Sequence, residues 1–296
     1  MGLVSTLSYD GFIIDNCNRF DDVRHIMRLE RILMILVKLG GSVITDKSRL
    51  RTFRRSVCDR LAREMRFGAS EGVLVVHGAG SFGHIVAKKY ALHKGLKYDS
   101  QVEHVATVQR DVRELNLRVL ESLIDAGLNA ISVPPASSST FENGCVKTFS
   151  DTPFSSLLDM GLVPVSFGDV VPDMAMGFCI CSGDLMMAEL AKAFKPRLVV
   201  FCADVDGVFD KDPKLDKSAK LLDEIDSSTT MTPSKERSVN ADVTGSMKGK
   251  MERMLAISEH CEKCIIVNGN VRGRLESAIK GKQVKSTTVV PRQVSA

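Results

Sequence analysis

Short apolar runs, each closed by glycine or a polar turn, alternate along the chain with longer stretches whose apolar residues recur at helical spacing. Residues 32–39 predict a buried strand ending in Gly40-Gly41-Ser42. Residues 73–76 predict a second, running through His77 into Gly78-Ala79-Gly80-Ser81-Phe82-Gly83-His84. Residues 198–203 predict a third, entering Asp204-Val205-Asp206-Gly207-Val208. Runs of this length, rich in β-branched residues and bounded by turns, are the mark of strands buried on both faces. Shorter runs at 130–133, 162–167 and 264–267 read as further strands, as does the tail after Gly281.

Between them the spacing predicts helices over 54–67, 85–92, 102–126, 154–160, 185–194 and 251–260, with Gly68, Gly127, Gly161 and Pro196 as stops. Val105, Val108, Val112, Leu115, Leu117, Val119, Leu120 and Leu123 mark the apolar side of the long helix over 102–126. Residues 136–148 predict a hairpin turning at Asn143-Gly144, and 170–180 a second hairpin. Strands alternating with helices predict an α/β protein with a mostly parallel sheet covered on both faces. The long connection over 204–250 then belongs on the ligand-facing edge.

Residues 1–31 stand apart, polar and without a clear period, and are expected to be a disordered N-terminal extension before a single domain over 32–296. Met27 and Met34 both offer alternative starts. With 296 residues, 44% of them hydrophobic and 26% charged, the chain can bury a sizeable core. A net charge of +4 is slight and, like the lack of tryptophan, gives no argument for nucleic acid, which is not expected as a partner. No apolar run approaches the roughly 18–20 residues that span a bilayer, and no secretory signal is evident, so a reducing cytoplasm is expected. Among the eight cysteines, Cys179, Cys181 and Cys202 sit in strand-like runs and read as packed thiols. Cys261-Glu262-Lys263-Cys264 lacks the second pair that a zinc site needs and reads as a helix-to-strand connection.

Three glycine-rich turns, at 40–42, 78–83 and 245–249, each follow a strand or open a helix. Such turns set backbone N–H groups and a positive helix end before an anion. None matches GxxxxGK[ST] or a GxGxxG followed by an acid about twenty residues on. Separate phosphate cradles together with Lys38, Lys47 and Lys250 suggest one site for two phosphorylated groups, as phosphoryl transfer requires. Lys38 should emerge at the carboxyl end of its strand, and His84 should lie in the first turn of the helix after the second cradle. His77 reads as the structural end of its strand, and Ser182 or Asp184 as a helix cap.

Taken in order, Lys38-Leu39-Gly40-Gly41-Ser42, Gly78-Ala79-Gly80, Ser182-Gly183-Asp184, Asp204-Val205-Asp206-Gly207-Val208 and Asp242-Val243-Thr244-Gly245 resemble the motifs of the amino acid kinase family, over roughly residues 33–290. The resemblance implies a three-layer αβα sandwich, with an acceptor-binding half over 32–181 and a nucleotide-binding half over 182–296. It further implies ATP and Mg2+ as cofactors, no metal-ligating side-chain set, and a homodimer. Within the family, Gly80-Ser81-Phe82-Gly83-His84 and Lys47 resemble the members that phosphorylate isopentenyl phosphate to isopentenyl diphosphate in isoprenoid biosynthesis. On this resemblance Lys38 and Lys47 contact the transferring phosphate, and Gly41 and Ser42 present N–H groups to it. Asp184 holds the lysines in place. Leu39, Gly40, Gly80, Asp204, Gly245 and Lys250 lie at ATP, while Ala79, Gly80, His84 and Gly168 line the acceptor. Two residues depart from the pattern: Ala79 replaces a common glycine, and Ser246 replaces the second glycine of Thr-Gly-Gly-Met.

A phosphate monoester has a second pKa of about 6 and is mostly dianionic at neutral pH, so its oxygen needs no general base. It needs cations and donors to offset the repulsion between two phosphates. The rival acceptors are a phosphonate, a carboxylate or uridine monophosphate. A rival of another class is a non-catalytic nucleotide sensor, which retention of Lys38, Lys47, His84, Asp184 and Lys250 together disfavours.

Overall fold

The computed structural model describes residues 34–211, 213, 216–229 and 247–291, with side chains left aside at 247 and 248. The expected N-terminal extension and the turn containing Gly245 lie outside the described residues.

The first half runs β1 (Ile35–Leu39), α1 (Gly41–Ile44), α2 (Arg55–Met65), β2 (Val73–His77), α3 (Gly80–Lys89), α4 (Gln101–Asp125) and β3 (Ala130–Ser132). It continues through α5 (Pro135–Ser138), β4 (Ser139–Glu142), β5 (Cys145–Phe149), α6 (Thr152–Asp159), β6 (Val163–Phe167), β7 (Asp169–Asp173) and β8 (Gly177–Cys181). The second half holds α7 (Gly183–Phe194), β9 (Leu198–Ala203), β10 (Glu224–Ile225), α8 (Met247–Ser258), β11 (Lys263–Asn268), α9 (Arg274–Ile279) and β12 (Ser286–Val289).

Among the described residues the main sheet has eight strands in the order β10-β12-β11-β9-β1-β2-β6-β3. Its neighbours are parallel except β11 and β12. Alternate residues of β1 and β2 face opposite layers. Ile35, Val37, Val73 and Val75 pack with Leu61 of α2, Leu115 and Leu123 of α4, and Leu275 of α9. Leu36, Leu74 and Val76 pack with Met186 and Leu190 of α7 and Leu255 of α8. The result is the expected three-layer αβα sandwich, with apolar side chains filling both interfaces.

The register fixes the site. β1 lies between β2 and β9, with Leu39 opposite both His77 and Cys202. The three strands therefore end level, and the turns beginning at Gly40, Gly78 and Asp204 leave from one edge of the sheet. This is the edge where open α/β sheets bind ligands.

Both hairpins form, and Asn143 and Gly144 take φ of 54° and 76° at the first turn. Several predicted boundaries shift. α3 begins at Gly80 rather than at residue 85, so the glycine cradle is itself the first helical turn. His84, its fifth residue, consequently lies in the second turn and not the first. Likewise α7 and α8 begin at Gly183 and Met247, before the predicted 185 and 251. Gly68 does not stop its helix, because a 3-10 segment over Arg66–Glu71 carries the chain on to Gly72, at φ 83°. Leu117, assigned to the apolar side of α4, is 61% exposed. Two residues beyond Leu115 lies roughly 200° around a helix, on its opposite face.

Candidate active site

Lys38, the fourth residue of β1, reaches a carboxylate rather than the core: its Nζ pairs with Asp184 Oδ1 and lies 5.6 Å from the Phe201 ring centroid. Asp184 opens α7, which Ser182 caps by accepting the Leu185 N–H at 3.2 Å. Burial alone would raise the Asp184 pKa. The charge and hydrogen bond of Lys38, and the charges of Lys250 and Arg253, instead hold it below the usual carboxylate range. One buried anion thus lies in the field of three cations. Arg253 was not singled out from the sequence. It stands three residues after Lys250 on α8 and so on the same face, and it donates to Ser182 Oγ at 3.0 Å.

The first two cradles pack backbone against backbone. A Cβ on Gly41 would come within 2.7 Å of Gly80 Cα, and one on Gly78 within 2.9 Å of Gly41 N. Gly41 and Ser42 are the first residues of α1, where N–H groups have no partner within the helix. Ser42 Oγ donates to Asp204 Oδ1 at 3.1 Å, tying the first turn to the end of β9. Gly40 donates its N–H to the Cys202 carbonyl at 3.0 Å, and Leu39 is buried behind it.

Gly80 takes φ 50°, and an added Cβ would come within 2.7 Å of Thr45 Cγ2. Gly80→Ala is therefore expected to lower stability by about 1–3 kcal/mol through left-handed strain, with the clash adding to it. Thermal unfolding checks this, and a midpoint equal to wild type would contradict the packing.

Lys47 is exposed in the loop closed by the Thr45–Phe53 bridge. That loop is fastened to α3 by Ser81, another residue the sequence did not single out. Ser81 N donates to Thr45 Oγ1 at 3.0 Å, its Oγ accepts the Thr52 N–H at 3.2 Å, and its carbonyl accepts the Arg51 N–H at 3.3 Å. The second cradle and the Lys47 loop are thereby one assembly.

On the other flank, Gly168 donates its N–H to the His77 carbonyl at 2.9 Å. A Cβ there would lie 3.1 Å from Gly183 N and 3.5 Å from Ala79 N. Gly168 thus brings β6, the cradle and the start of α7 together, offering space rather than a donor. His84 is half-buried on α3. Beyond it, Val86, Ala87 and Tyr90 join Ala79, Phe167, Val170 and Phe178 in an apolar cluster beside the cradle.

All described cysteines are free, and burial pushes Cys202 and Cys179 up to about 12, so these thiols stay protonated and inert. Cys264 lies in β11 and Cys261 in the turn before it, the connection expected of that pair.

Backbone donors and cations collected at the ends of parallel strands make a site suited to phosphate-bearing anions on an α/β fold. The chain belongs to the amino acid kinase family, whose family model matches residues 34–268. It is 38% identical over 238 residues to the isopentenyl phosphate kinase of Thermoplasma acidophilum, covering 80% of this chain and 92% of that one. To the isopentenyl phosphate kinase of Methanothermobacter thermautotrophicus it is 34% identical over 263 residues, covering 86% and 98%. A solved product complex of the Thermoplasma acidophilum enzyme superposes with a TM-score of 0.71 at 34% identity, over 87% of this chain and 99% of that one. A uridine monophosphate kinase from Ureaplasma parvum, at 16% identity and a TM-score of 0.58, shares the fold alone.

Proposed function

We propose that this chain transfers the γ-phosphoryl group of ATP to isopentenyl phosphate, giving isopentenyl diphosphate and ADP. An oxygen of the acceptor phosphate attacks the γ-phosphorus, the bond to the β,γ-bridging oxygen breaks, and ADP leaves. No proton need move, because the acceptor is already dianionic. The chain's task is to position two anions in line and offset their charge.

In this reading Lys38 and Lys47 contact the transferring phosphate, with Gly41 and Ser42 donating N–H groups to it. Asp184 keeps Lys38 extended and the neighbouring Lys250 in place. Leu39, Gly40, Gly80, Asp204, Gly245 and Lys250 serve ATP. Ala79, Gly80, His84 and Gly168 form the acceptor cradle. The two roles divide the chain into an acceptor half over 32–181 and a nucleotide half over 182–296. Magnesium, when bound, neutralises charge on the ATP phosphates. The ion would be held largely by the nucleotide's own phosphates. We assign the enzyme to the cytoplasm as a homodimer, as the reduced cysteines and the family resemblance imply; no helix among the described residues is long and apolar enough to cross a membrane.

The observation that carries the reading is the placing of an apolar cluster, with Ala79, Val86 and Tyr90 at its margin, directly beside a cradle served by Lys38 and Asp184. The partly buried margin of this cluster suits a short alkenyl tail on a phosphate. Similarity to isopentenyl phosphate kinases along nearly their whole length supports it. A coupled ADP-release assay over isopentenyl, dimethylallyl and longer prenyl phosphates, fosfomycin and uridine monophosphate tests it. Isopentenyl phosphate is expected to give the highest kcat/KM. A higher value for uridine monophosphate or fosfomycin would overturn the assignment.

A further inference from the structure

His77 ends β2 directly before the acceptor cradle and is fully buried. Its ring stacks on Phe167 of β6, with centroids 5.3 Å apart and planes 15° from parallel. Nδ1 lies 3.1 Å from the Gly78 carbonyl oxygen. Nε2 lies 3.1 Å from Nδ2 of Asn116, itself buried on α4.

These partners decide the tautomer. A carbonyl only accepts, so the proton sits on Nδ1 and is donated to Gly78. Nε2 then carries the lone pair and accepts from the Asn116 amide. Burial pushes the imidazole pKa down to about 4, so the ring stays neutral where the enzyme works. A neutral, fully partnered histidine this deep is no proton carrier, and its chemistry is that of a fixed hydrogen-bond donor.

What it fixes is a peptide plane. The Gly78 carbonyl and the Ala79 N–H belong to one planar trans unit and point in opposite directions. The His77–Gly78 peptide is pinned, its N–H donating to the Leu39 carbonyl at 3.0 Å and its carbonyl accepting from Gly168 at 2.9 Å, but Gly78 lacks a Cβ, so the peptide after it has unusual freedom to turn. A carbonyl held towards the His77 ring forces the Ala79 N–H to the other side. Gly168 stands near this nitrogen, since a Cβ on Gly168 would lie 3.5 Å from Ala79 N.

We propose that His77 and Asn116 are positioning residues that lock the Gly78–Ala79 peptide so that the Ala79 N–H faces the acceptor phosphate. Asn116 acts through His77 by anchoring Nε2 and so holding the ring in place, and His77 acts through the Gly78 carbonyl. This rests on the reading of Ala79 as part of the acceptor cradle. Without the Asn116 amide, Nε2 loses its partner and the ring is no longer pinned at both ends. It can then turn and withdraw the Nδ1–H from the Gly78 carbonyl, and the peptide is released.

The test pairs steady-state kinetics with nitrogen NMR of the ring on the full chain. Wild type should show His77 protonated at Nδ1 and not titrating across the neutral range. Asn116→Leu, close in shape, should raise the KM for isopentenyl phosphate about tenfold, the size of one lost hydrogen bond. It should leave the KM for ATP unchanged. His77→Phe, which keeps the stack on Phe167, should do the same, and the double variant should be no worse than His77→Phe alone. A merely structural pair would lower the unfolding temperature without separating the two KM values.

Protonation of the wild-type ring at Nε2 overturns the proposal even if a variant fails to fold. Equal rises in both KM values, or an acceptor KM within about twofold of wild type in folded variants, also overturn it. Normal wild-type turnover beside such variants spares the function. A wild type inactive on isopentenyl phosphate overturns the function, and this inference with it.

Discussion

Alanine at His84 is expected to lower turnover of isopentenyl phosphate by about 10²-fold or more, the usual loss for a missing transition-state donor. The imidazole is assigned as a hydrogen-bond donor to the acceptor phosphate and not as a base, because a dianionic acceptor has no proton to give up. Its place on α3, four residues beyond Gly80, sets it on the same side of the helix as the cradle. His84→Gln keeps a donor at similar reach and should retain part of the activity. The loss should appear in the acceptor's kinetic parameters and spare ATP affinity. Equal and near-complete loss in both variants would point to proton transfer or to a phosphohistidine. The latter would show as acid-labile label on the protein after incubation with γ-labelled ATP and no acceptor.

Lys38→Ala should cost about 2.7–4 kcal/mol of transition-state stabilisation, read as a fall in kcat with little change in the KM for ATP. Lys38 is held extended by Asp184, so its charge is already in place when the phosphoryl group moves. Removing it leaves Asp184 with the charges of Lys250 and Arg253, and the fold should survive. Asp184→Asn should also lower kcat, since it frees Lys38 to point elsewhere. A thermal scan separates either effect from unfolding. If only the KM for ATP rises in Lys38→Ala, the lysine binds the ground state and the assigned role is wrong.

How far the sequence reveals this arrangement depends on the range of the interaction. Ile35–Leu39, Val73–His77 and Leu198–Ala203 are buried on both faces, so they read as near-continuous apolar runs, interrupted at Lys38 and closed by His77, and are recognisable without context. The Asn143-Gly144 turn is equally legible, because its left-handed backbone selects its residues. The start of α3 is not. Gly80-Ser81-Phe82-Gly83 has poor helix propensity, and what holds it helical is contact with the Gly41 turn and with Thr45. The Lys38–Asp184 pair spans 146 positions, and no local pattern announces it; the family resemblance supplied that role. Arg253 looks like one more solvated helix charge until Ser182, 71 positions away, is seen to accept its hydrogen bond. His77 illustrates the same limit. As a residue type at a strand end it reads as structural, and only the partners on both ring nitrogens reveal a directed donor.

The central claim is that an oxygen of one phosphate attacks another, and the product declares it. Phosphorus NMR of the full chain incubated with ATP, magnesium and isopentenyl phosphate should show the acceptor's single resonance replaced by the two coupled resonances of a diphosphate ester, in step with ADP. Orthophosphate appearing with ADP while the acceptor resonance persists would mean water is the acceptor, and would contradict the account.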